Sequence, residues 1–380
     1  MKLTITEPID WNNRLILAPL TRGGNLPFRR LAVSFGADIT VSEMAYARKI
    51  IKNNRRELAL LRRHPDEKIF GVQLAASKPG EALEAAKIAV SEGADFIDLN
   101  CGCPIHDTVR RGMGAALLER KALLGRIVEV LSAGVSVPVT VKIRSGWSAK
   151  KVRALELSEV IESSGAQALT LHPRTREQRY TKAADWSLVR EVALARKIPV
   201  AGNGDILTWF EAKRFKELSE CAALMIARGA LIKPWIFTEI KEEKSLLLSW
   251  QERVEIYFKL TQYMKEHFGA DDKGRKRSMY FLPFNIDFMA RYRPLPEEKW
   301  EDKARLHPLI QTRLEDTRAD LEPAEQLLRS QKEEVHREIA SVLWQVNSEK
   351  EACGAIRALA EKLSASFSLE QEDSNLLGAR

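Results

Sequence analysis

The chain has 380 residues, enough for two domains or for one barrel with an appendage. Its 45% hydrophobic and 29% charged residues are typical of a soluble globular protein, and no apolar run approaches the roughly 20 residues of a membrane span. The formal net charge is +8, but residues 1–240 hold 37 Lys and Arg against 26 Asp and Glu, whereas residues 241–380 hold 23 against 26. We expect a monomer with no membrane partner. The uneven charge indicates either a polyanionic partner or a merely solvated basic surface.

The four cysteines, Cys101, Cys103, Cys221 and Cys353, indicate neither a disulfide framework nor a zinc site. Cys101 and Cys103 are only two positions apart, where a mutual disulfide is geometrically poor. Free thiols persist in a reducing compartment. We therefore expect a cytoplasmic protein that holds no metal.

From about residue 14 to residue 241 the chain repeats one unit, a short apolar strand, a polar turn and an amphipathic helix. This alternation predicts a parallel sheet, and eight units fit an α/β fold of the (β/α)8 TIM barrel type. A doubly wound sheet is the alternative, but no glycine-rich turn of the kind typical of it follows the first strand. The predicted strands are Leu15–Ala18, Ile39–Ser42, Ile69–Leu74, Phe96–Leu99, Val139–Ile143, Ala168–Leu171, Val200–Ala201 with its flanks, and Ala223–Ile226.

After Trp250 the chain is typical of helices and shows no strand-like alternation. We predict a barrel domain over residues 1–244, a smaller all-helical domain over 245–367 and a frayed tail over 368–380. Pro283 should kink or split the second helix of that domain, because proline lacks the N–H group that a helix interior needs. The predicted helices of this domain cover residues 251–267, 276–292, 323–349 and 351–367.

Functional groups of a parallel barrel gather at the carboxyl ends of its strands, and every predicted strand here ends in polar or ionisable residues. A barrel without a site needs neither Lys142 inside an apolar run nor His172 directly after Leu171. The residues predicted at this rim include Pro19, Leu20, Thr21, Gln73, Asn100, Cys103, Lys142, Arg144, His172, Arg174, Asn203, Gly204, Asp205, Ala227 and Arg228.

The turns after the last two strands, 202–205 and 227–230, carry the glycines with which many barrels bind a phosphate. Arg228 adds a cation for that phosphate. The alternative is two tight turns whose glycines serve only backbone geometry. If a phosphate binds there, Lys142 and Gln73 face the body of the cofactor, and a flavin is a good candidate because a lysine stabilises the negative charge of its reduced ring.

Two clusters of basic residues are candidates for contact with nucleic acid. The loop after the sixth strand interleaves basic residues with Tyr180, a combination suited to phosphate contacts and base stacking. A second cluster lies within the acidic C-terminal part. The alternatives are an ordinary charged loop and a solvated surface. The residues concerned are Arg174, Arg176, Arg179 and Lys182 in the first cluster, and Lys273, Arg275, Lys276, Arg277, Arg291 and Arg293 in the second.

Several motifs, in order along the chain, resemble those of the dihydrouridine synthases, flavoenzymes that reduce uridine in tRNA. The resemblance extends from Arg14 to about Pro294. It is strongest to the eukaryotic branch of the family, which acts on the tRNA variable loop. The motifs are Ala18–Thr21, Gly24–Arg30, Glu43–Ala45, Gly71–Leu74, Asp98–Pro104, Val141–Arg144, Thr170–Lys182, Asp185–Trp186, Gly202–Ile206 and Ile226–Leu231, with Lys233–Lys241 adding to the narrower likeness.

The resemblance implies an oxidoreductase that uses FMN and NADPH to reduce a specific uridine of tRNA to 5,6-dihydrouridine. It implies that Cys103 is the catalytic general acid, giving a proton to C5 of the uracil while hydride from reduced FMN reaches C6. Asn100 corresponds to a residue that meets the flavin or the base, and the helical domain helps to hold tRNA. The implied FMN contacts are Pro19, Leu20, Thr21, Gln73, Lys142, His172, Asn203, Gly204, Asp205, Ala227 and Arg228.

Two alternatives remain at this stage. One is an FMN barrel that reduces a small molecule such as a pyrimidine, but such an enzyme needs neither the basic loop nor the helical domain. The other is an RNA-binding barrel that has lost catalysis, which the presence of Cys103, Lys142 and His172 opposes. Dependence of NADPH oxidation on tRNA would distinguish a tRNA-dihydrouridine synthase from the first alternative. Binding of tRNA by a protein that holds no flavin would support the second.

Overall fold

The computed structural model describes residues 9–299 and 321–377, with side chains through residue 298 and again from 321 to 363. The described part of the chain falls into two compact units. One unit holds residues 9–230, 234–245 and 295–299, and the other holds 231–233, 246–294 and 321–377.

Eight parallel strands of the first unit close into a barrel. In the order β2-β1-β9-β8-β7-β6-β5-β4 each strand pairs with the next, and β2 pairs with β4 to complete the circle. The predicted TIM barrel is thereby confirmed, because a doubly wound sheet has two free edges. The short β3, which pairs with β4, was not predicted. The strands are β1 Leu15–Leu17, β2 Ile39–Val41, β3 Ala45–Tyr46, β4 Ile69–Ala75, β5 Phe96–Cys101, β6 Val139–Arg144, β7 Ala168–His172, β8 Val200–Asn203 and β9 Ala223–Ile226.

The barrel interior is filled by a cluster of buried apolar side chains. Phe96 and Trp11 meet edge to face in this cluster, with ring centroids 5.3 Å apart. Gly71 on β4 is opposite Phe96 in register, and a Cβ atom at position 71 would lie 2.1 Å from that ring. The strand therefore needs a glycine there to admit the phenyl ring.

Helices follow the strands in alternation, as the sequence predicts. Their starts are fixed by local capping, as when the Thr208 side chain accepts a hydrogen bond from the N–H of Glu211. The helices are α1 Leu26–Ser34, α2 Ala47–Ile51, α3 Arg55–Leu60, α4 Pro79–Ser91, α5 His106–Arg110, α6 Lys121–Gly134, α7 Ala154–Ser163, α8 Trp186–Ala195, α9 Trp209–Ser219, α10 Arg228–Ile232 and α11 Ile236–Glu242, with a 3-10 helix over Gly114–Glu119 and another over Glu297–Lys299.

The second unit is helical throughout its described residues. A capping box between Ser249 and Glu252 begins its first long helix, and Asp271 caps the second. None of the helices described in either unit is long and apolar enough to cross a membrane. The helices of this unit are α12 Trp250–Phe268, α13 Asp272–Met289, α14 Pro323–Leu328, α15 Glu333–Gln345 and α16 Glu349–Leu377.

The structure of this unit bears on three of the predictions, those for the helix over 323–349, for Pro283 and for the tail. The single helix predicted over 323–349 is two helices, because the Ser330 hydroxyl accepts from the N–H of Lys332 and the imidazole of His336 meets the Ser330 carbonyl oxygen at 2.7 Å. Pro283 does not split α13, which continues from Asp272 to Met289 and has buried residues on both sides of the proline. The frayed tail predicted over 368–380 stays a prediction; α16 extends to Leu377, and residues 378–380 lie outside the described residues.

Candidate active site

A cavity of about 370 Å³ opens at the carboxyl ends of the barrel strands. This volume is within the range of small-molecule and cofactor sites. All eleven residues predicted to contact the cofactor line it, and Asn100, Cys103, Arg144 and Tyr180 line it with them. The residues are brought together because the strands are parallel and their ends meet at one rim. The eleven are Pro19, Leu20, Thr21, Gln73, Lys142, His172, Asn203, Gly204, Asp205, Ala227 and Arg228.

A buried carboxyl group organises the floor of the cavity. Asp98 Oδ2 accepts a hydrogen bond from Gln73 Nε2 at 2.7 Å, and Asp98 Oδ1 accepts one from Thr140 Oγ1 at 2.6 Å. Burial raises the pKa of Asp98, while these two hydrogen bonds and the charge of Lys142 act in the opposite direction. Because its carboxamide is fixed in this way, Gln73 Oε1 accepts from Asn100 Nδ2 at 2.7 Å. Asp98 and Thr140 were not among the residues predicted at the site, although an acidic residue within the apolar run of β5 is a visible signal.

The loop of Cys103 is shaped by Asn100. The Asn100 side-chain oxygen accepts from the N–H groups of Gly102 and Cys103, at 3.2 and 3.0 Å. The carbonyl oxygen of Cys103 accepts in turn from the N–H of Ala115, at 3.0 Å. Cys101, by contrast, is fully buried, and burial raises the pKa of its thiol well above the usual value. The half-buried Cys103 is therefore the cysteine whose thiol can meet a substrate in the cavity.

Lys142 brings a positive charge into the cavity wall from β6. Its Nζ donates to Asn203 Oδ1 at 3.0 Å, and Asn203 Nδ2 donates to the carbonyl oxygen of Met225 at 2.7 Å. Burial lowers the pKa of Lys142 to about 8, helped by the charge of Arg144 and opposed by that of Asp98. The ammonium group thus loses its charge around pH 8 rather than above pH 10.

A basic corner lies at the ends of β7, β8 and β9. Asp205 accepts from Arg174 Nη2 at 2.5 Å and from Arg228 Nη2 at 3.0 Å. Burial holds the pKa of His172 well below its usual range, and the charges of Arg144, Lys142, Arg174 and Arg228 reinforce the shift. The His172 ring is therefore neutral. Because Arg174 can only donate, the Nε2 atom 3.2 Å from Arg174 Nη1 is the acceptor and the ring proton lies on Nδ1.

One nitrogen of this corner has no hydrogen-bond partner among the described residues. This atom, Arg228 Nη1, is buried. The guanidinium of Arg228 also lies over the ring of Tyr180, 4.2 Å from its centroid. The turns beside it are tight, since a Cβ atom at Gly229 would lie 2.2 Å from the carbonyl oxygen of Ile206. A buried donor next to closely approaching backbone is suited to an anion such as a phosphate.

The structure separates the residues predicted to contact RNA into buried and exposed groups. Arg174 has 0% exposed side chain and is an internal ion-pair partner of Asp205. The RNA contact predicted for it stays a prediction. Arg144 is also buried, donating through Nε to the carbonyl oxygen of Gly102 and through Nη1 to that of Thr175. These two arginines hold the loop after β7 against the cavity. Arg176 is half-buried over Trp147, whereas Arg179, Tyr180 and Lys182 are exposed.

The basic residues of the helical unit differ in the same way. Arg275, Lys276 and Arg277 are exposed on α13, and Arg275 donates to the hydroxyl of Ser341. Arg291 is half-buried and paired with Asp287 at 2.6 Å, and the half-buried Arg293 donates to backbone carbonyl oxygens. The three consecutive residues are therefore better placed for a polyanion than the other two.

Comparison with known proteins shows the relatives of this chain. The profile of the family "Dihydrouridine synthase (Dus)" matches residues 16–287. The chain is 42% identical over 289 residues to a protein from Homo sapiens named tRNA-dihydrouridine(47) synthase NAD(P)(+)-like, covering 76% of this chain and 44% of the relative. It is 40% identical over 314 residues to the tRNA-dihydrouridine(47) synthase NAD(P)(+) of Coprinopsis cinerea, covering 78% and 46%. The chain thus spans about half the length of the curated relatives that it matches.

Proposed function

Because this chain belongs to the dihydrouridine synthase family, we propose that it reduces a specific uridine of tRNA to 5,6-dihydrouridine, with FMN as cofactor and NADPH as electron donor. The family was predicted from the motifs, and the matched residues carry the whole barrel and much of the helical unit. The observation that supports the proposal most directly is the cavity in which Cys103, Lys142 and the basic corner meet. We expect the enzyme in the cytoplasm, where thiols such as its four free cysteines persist.

The residues of the cavity fit FMN. Arg228 Nη1, buried and without a partner, is suited to the phosphate, and the tight turns at Gly204 and Gly229 bring backbone close to it. Lys142 is suited to the electron-rich edge of the flavin, because a cation beside it favours the reduced, anionic ring. The neutral His172 has a donor at Nδ1, which suits a carbonyl oxygen or a phosphate oxygen.

When bound, FMN supplies the hydride that reaches C6 of the uracil. Cys103 holds a proton on Sγ and delivers it to C5, which makes the thiol the general acid of the reaction. Asn100 fixes the position of that thiol through the N–H of Cys103. The target uridine must leave its base stack to enter the cavity, as in base flipping. Tyr180, which is 46% exposed at the cavity edge, is placed to stack on a base as it enters.

We propose that residues 1–244 form the catalytic domain and that the helical domain, 245–367, helps to bind tRNA. Among the cations predicted to contact RNA, Arg179 and Lys182 are exposed on the barrel, and Lys273, Arg275, Lys276 and Arg277 are exposed on α13. Such side chains neutralise phosphates without reading sequence. Arg176, Arg291 and Arg293 remain weaker candidates, because their side chains are half-buried and engaged.

The test is nucleoside analysis of unmodified tRNA after incubation with the protein, FMN and NADPH. We expect dihydrouridine with the wild-type chain, and at least a hundredfold less with Cys103→Ala, within the range attributed to general-acid catalysis. The matched control is Cys101→Ala, which removes the neighbouring thiol that does not line the cavity and should still form dihydrouridine. NADPH oxidation that is independent of tRNA, with no dihydrouridine formed, would contradict the proposal and favour a small-molecule substrate.

A further inference from the structure

Cys103 has a hydroxyl neighbour that belongs to no predicted site. Thr108 on α5 is fully buried, and its Oγ1 accepts a long hydrogen bond from the thiol of Cys103, with Sγ 3.9 Å away. The same oxygen lies 2.9 Å from the phenol oxygen of Tyr46, the last residue of β3. Neither Thr108 nor Tyr46 lines the cavity. The two hydroxyls therefore connect the thiol to a region outside the substrate site.

The outer end of this connection is half-buried and positively charged. The Tyr46 ring has Lys49 Nζ 4.8 Å from its centroid on one side, and the guanidinium carbon of Arg111 lies 5.8 Å from the same centroid. Glu57 accepts from the N–H of Tyr46 at 2.7 Å and pairs with Lys49 at 3.1 Å. Because Tyr46 is half-buried, solvent can reach it, and its phenol is the member of the connection that can exchange a proton with a buffer acid.

The backbone holds the inner end in place. The carbonyl oxygen of Thr108 accepts from the N–H of Met113, and that of Cys103 accepts from Ala115. Gly114, with φ of +60°, lies so close that a Cβ atom there would be 2.8 Å from the Cys103 carbonyl oxygen. The loop from 103 to 115 therefore folds back on itself and keeps the Thr108 hydroxyl beside the thiol.

We propose that Thr108 and Tyr46 are positioning residues that orient the Cys103 thiol and return a proton to it after each turnover. This inference rests on the proposed function, in which Cys103 loses its proton to C5. The thiolate takes the proton of the Thr108 hydroxyl, Thr108 Oγ1 takes the phenol proton of Tyr46, and the phenolate takes a proton from a buffer acid. One proton moves from solvent to sulfur, and no electrons are transferred.

The first measurement needs neither tRNA nor FMN reduction. The rate of alkylation of Cys103 by iodoacetamide is followed against pH by mass spectrometry of the Cys103 peptide. Thr108→Val keeps the shape of the side chain but removes the hydrogen bond to the thiolate. The pH at the midpoint of the alkylation profile should therefore rise by about 0.5 to 1 pH unit. Tyr46→Phe should raise the midpoint less. Thr261→Val, which removes a buried hydroxyl from α12 of the helical unit, should leave the midpoint unchanged.

The charged groups around the connection stay the same in these variants. Arg144 on β6 acts on Cys103, and Lys49, Glu57 and Arg111 surround Tyr46. A change in the alkylation profile is therefore attributable to the missing hydroxyl. An unchanged midpoint in Thr108→Val would overturn the inference.

The second measurement separates proton return from structural support. With pre-reduced enzyme and tRNA, the first turnover of Tyr46→Phe should slow by less than threefold, whereas the steady-state rate should fall about tenfold. A small buffer acid such as imidazole should restore the steady-state rate in a concentration-dependent way. If the first-turnover rate and the steady-state rate fall by the same factor and imidazole restores neither, the role of Tyr46 is merely structural and the inference is overturned. If the wild-type chain forms no dihydrouridine while the alkylation profile still shifts, the proposed function fails and the thiol connection stands.

Discussion

Lys142 lines the cavity from the middle of a buried strand, and its charge depends on that burial. With a pKa of about 8, the ammonium form is present below pH 8 and is lost as the pH rises through that value. The charged form is the one that stabilises a reduced flavin. The sequence places a lysine in an apolar run, but the size of this shift follows from the barrel interior and from Arg144 beside it.

We therefore predict that reduction of bound FMN by NADPH slows as the pH rises through about 8. In Lys142→Met the rate should be about tenfold lower below pH 8, which corresponds to a barrier higher by about 1.4 kcal/mol, and the step near pH 8 should disappear. Stopped-flow absorbance of the flavin measures both. Lys121→Met, which changes an exposed lysine on a barrel helix, is the control and should keep the wild-type profile. A step that persists in Lys142→Met would assign it to another group.

At the scale of elements, β4 and β5 pack closely because Gly71 carries no side chain. Phe96 of β5 occupies the space that a side chain on Gly71 of β4 would need. Hydrophobic patterning predicts both strands, but it does not reveal which residues meet across them. The break between α14 and α15 was missed for a related reason, since it depends on contacts of Ser330 with Lys332 and His336.

Gly71→Ala should destabilise the protein by roughly 1 to 3 kcal/mol, because the methyl group forces the Phe96 ring or the strand to move. Urea unfolding measures this as a lower midpoint. Gly80→Ala is the matched control, because nothing lies within 4 Å of a Cβ atom at that position of α4, and alanine favours a helix by up to about 1 kcal/mol. Equal midpoints for the two variants would show that β4 and β5 adjust without cost.

At the scale of the whole molecule, charge is the property on which the proposed binding of tRNA depends. The first 240 residues are strongly basic, whereas the remainder is slightly acidic apart from its local clusters. Within the described part of that remainder, Arg275, Lys276 and Arg277 form three consecutive exposed cations. Their effect on binding should depend on salt, because phosphate contacts release counterions.

Changing these three residues to Gln should weaken tRNA binding and make the plot of log affinity against log salt concentration shallower by roughly 2 to 3. Filter binding or fluorescence anisotropy over a salt series measures the slope. The control changes three exposed cations of barrel helices and loops, Lys87, Arg126 and Lys197, to Gln. It carries the same change in net charge, and its slope should stay near that of the wild type. An unchanged slope in the first variant would show that the α13 cluster is only solvated surface.

The sequence by itself determined the alternation of strands and helices, the closed barrel, the helical C-terminal part, the family and the residues of the cavity rim. The family follows from the resemblance of its motifs, and the other features follow from local periodicity and from strand ends, which the order of residues encodes directly. Only the tertiary structure showed that Arg174 is an internal partner of Asp205, that Asp98 supports Gln73, and that Thr108 and Tyr46 reach Cys103. The members of these pairs are distant in sequence or are brought together by the fold of a loop. Their contacts therefore exist only after the barrel has closed. Burial and neighbouring charges then set the protonation of Lys142 and His172.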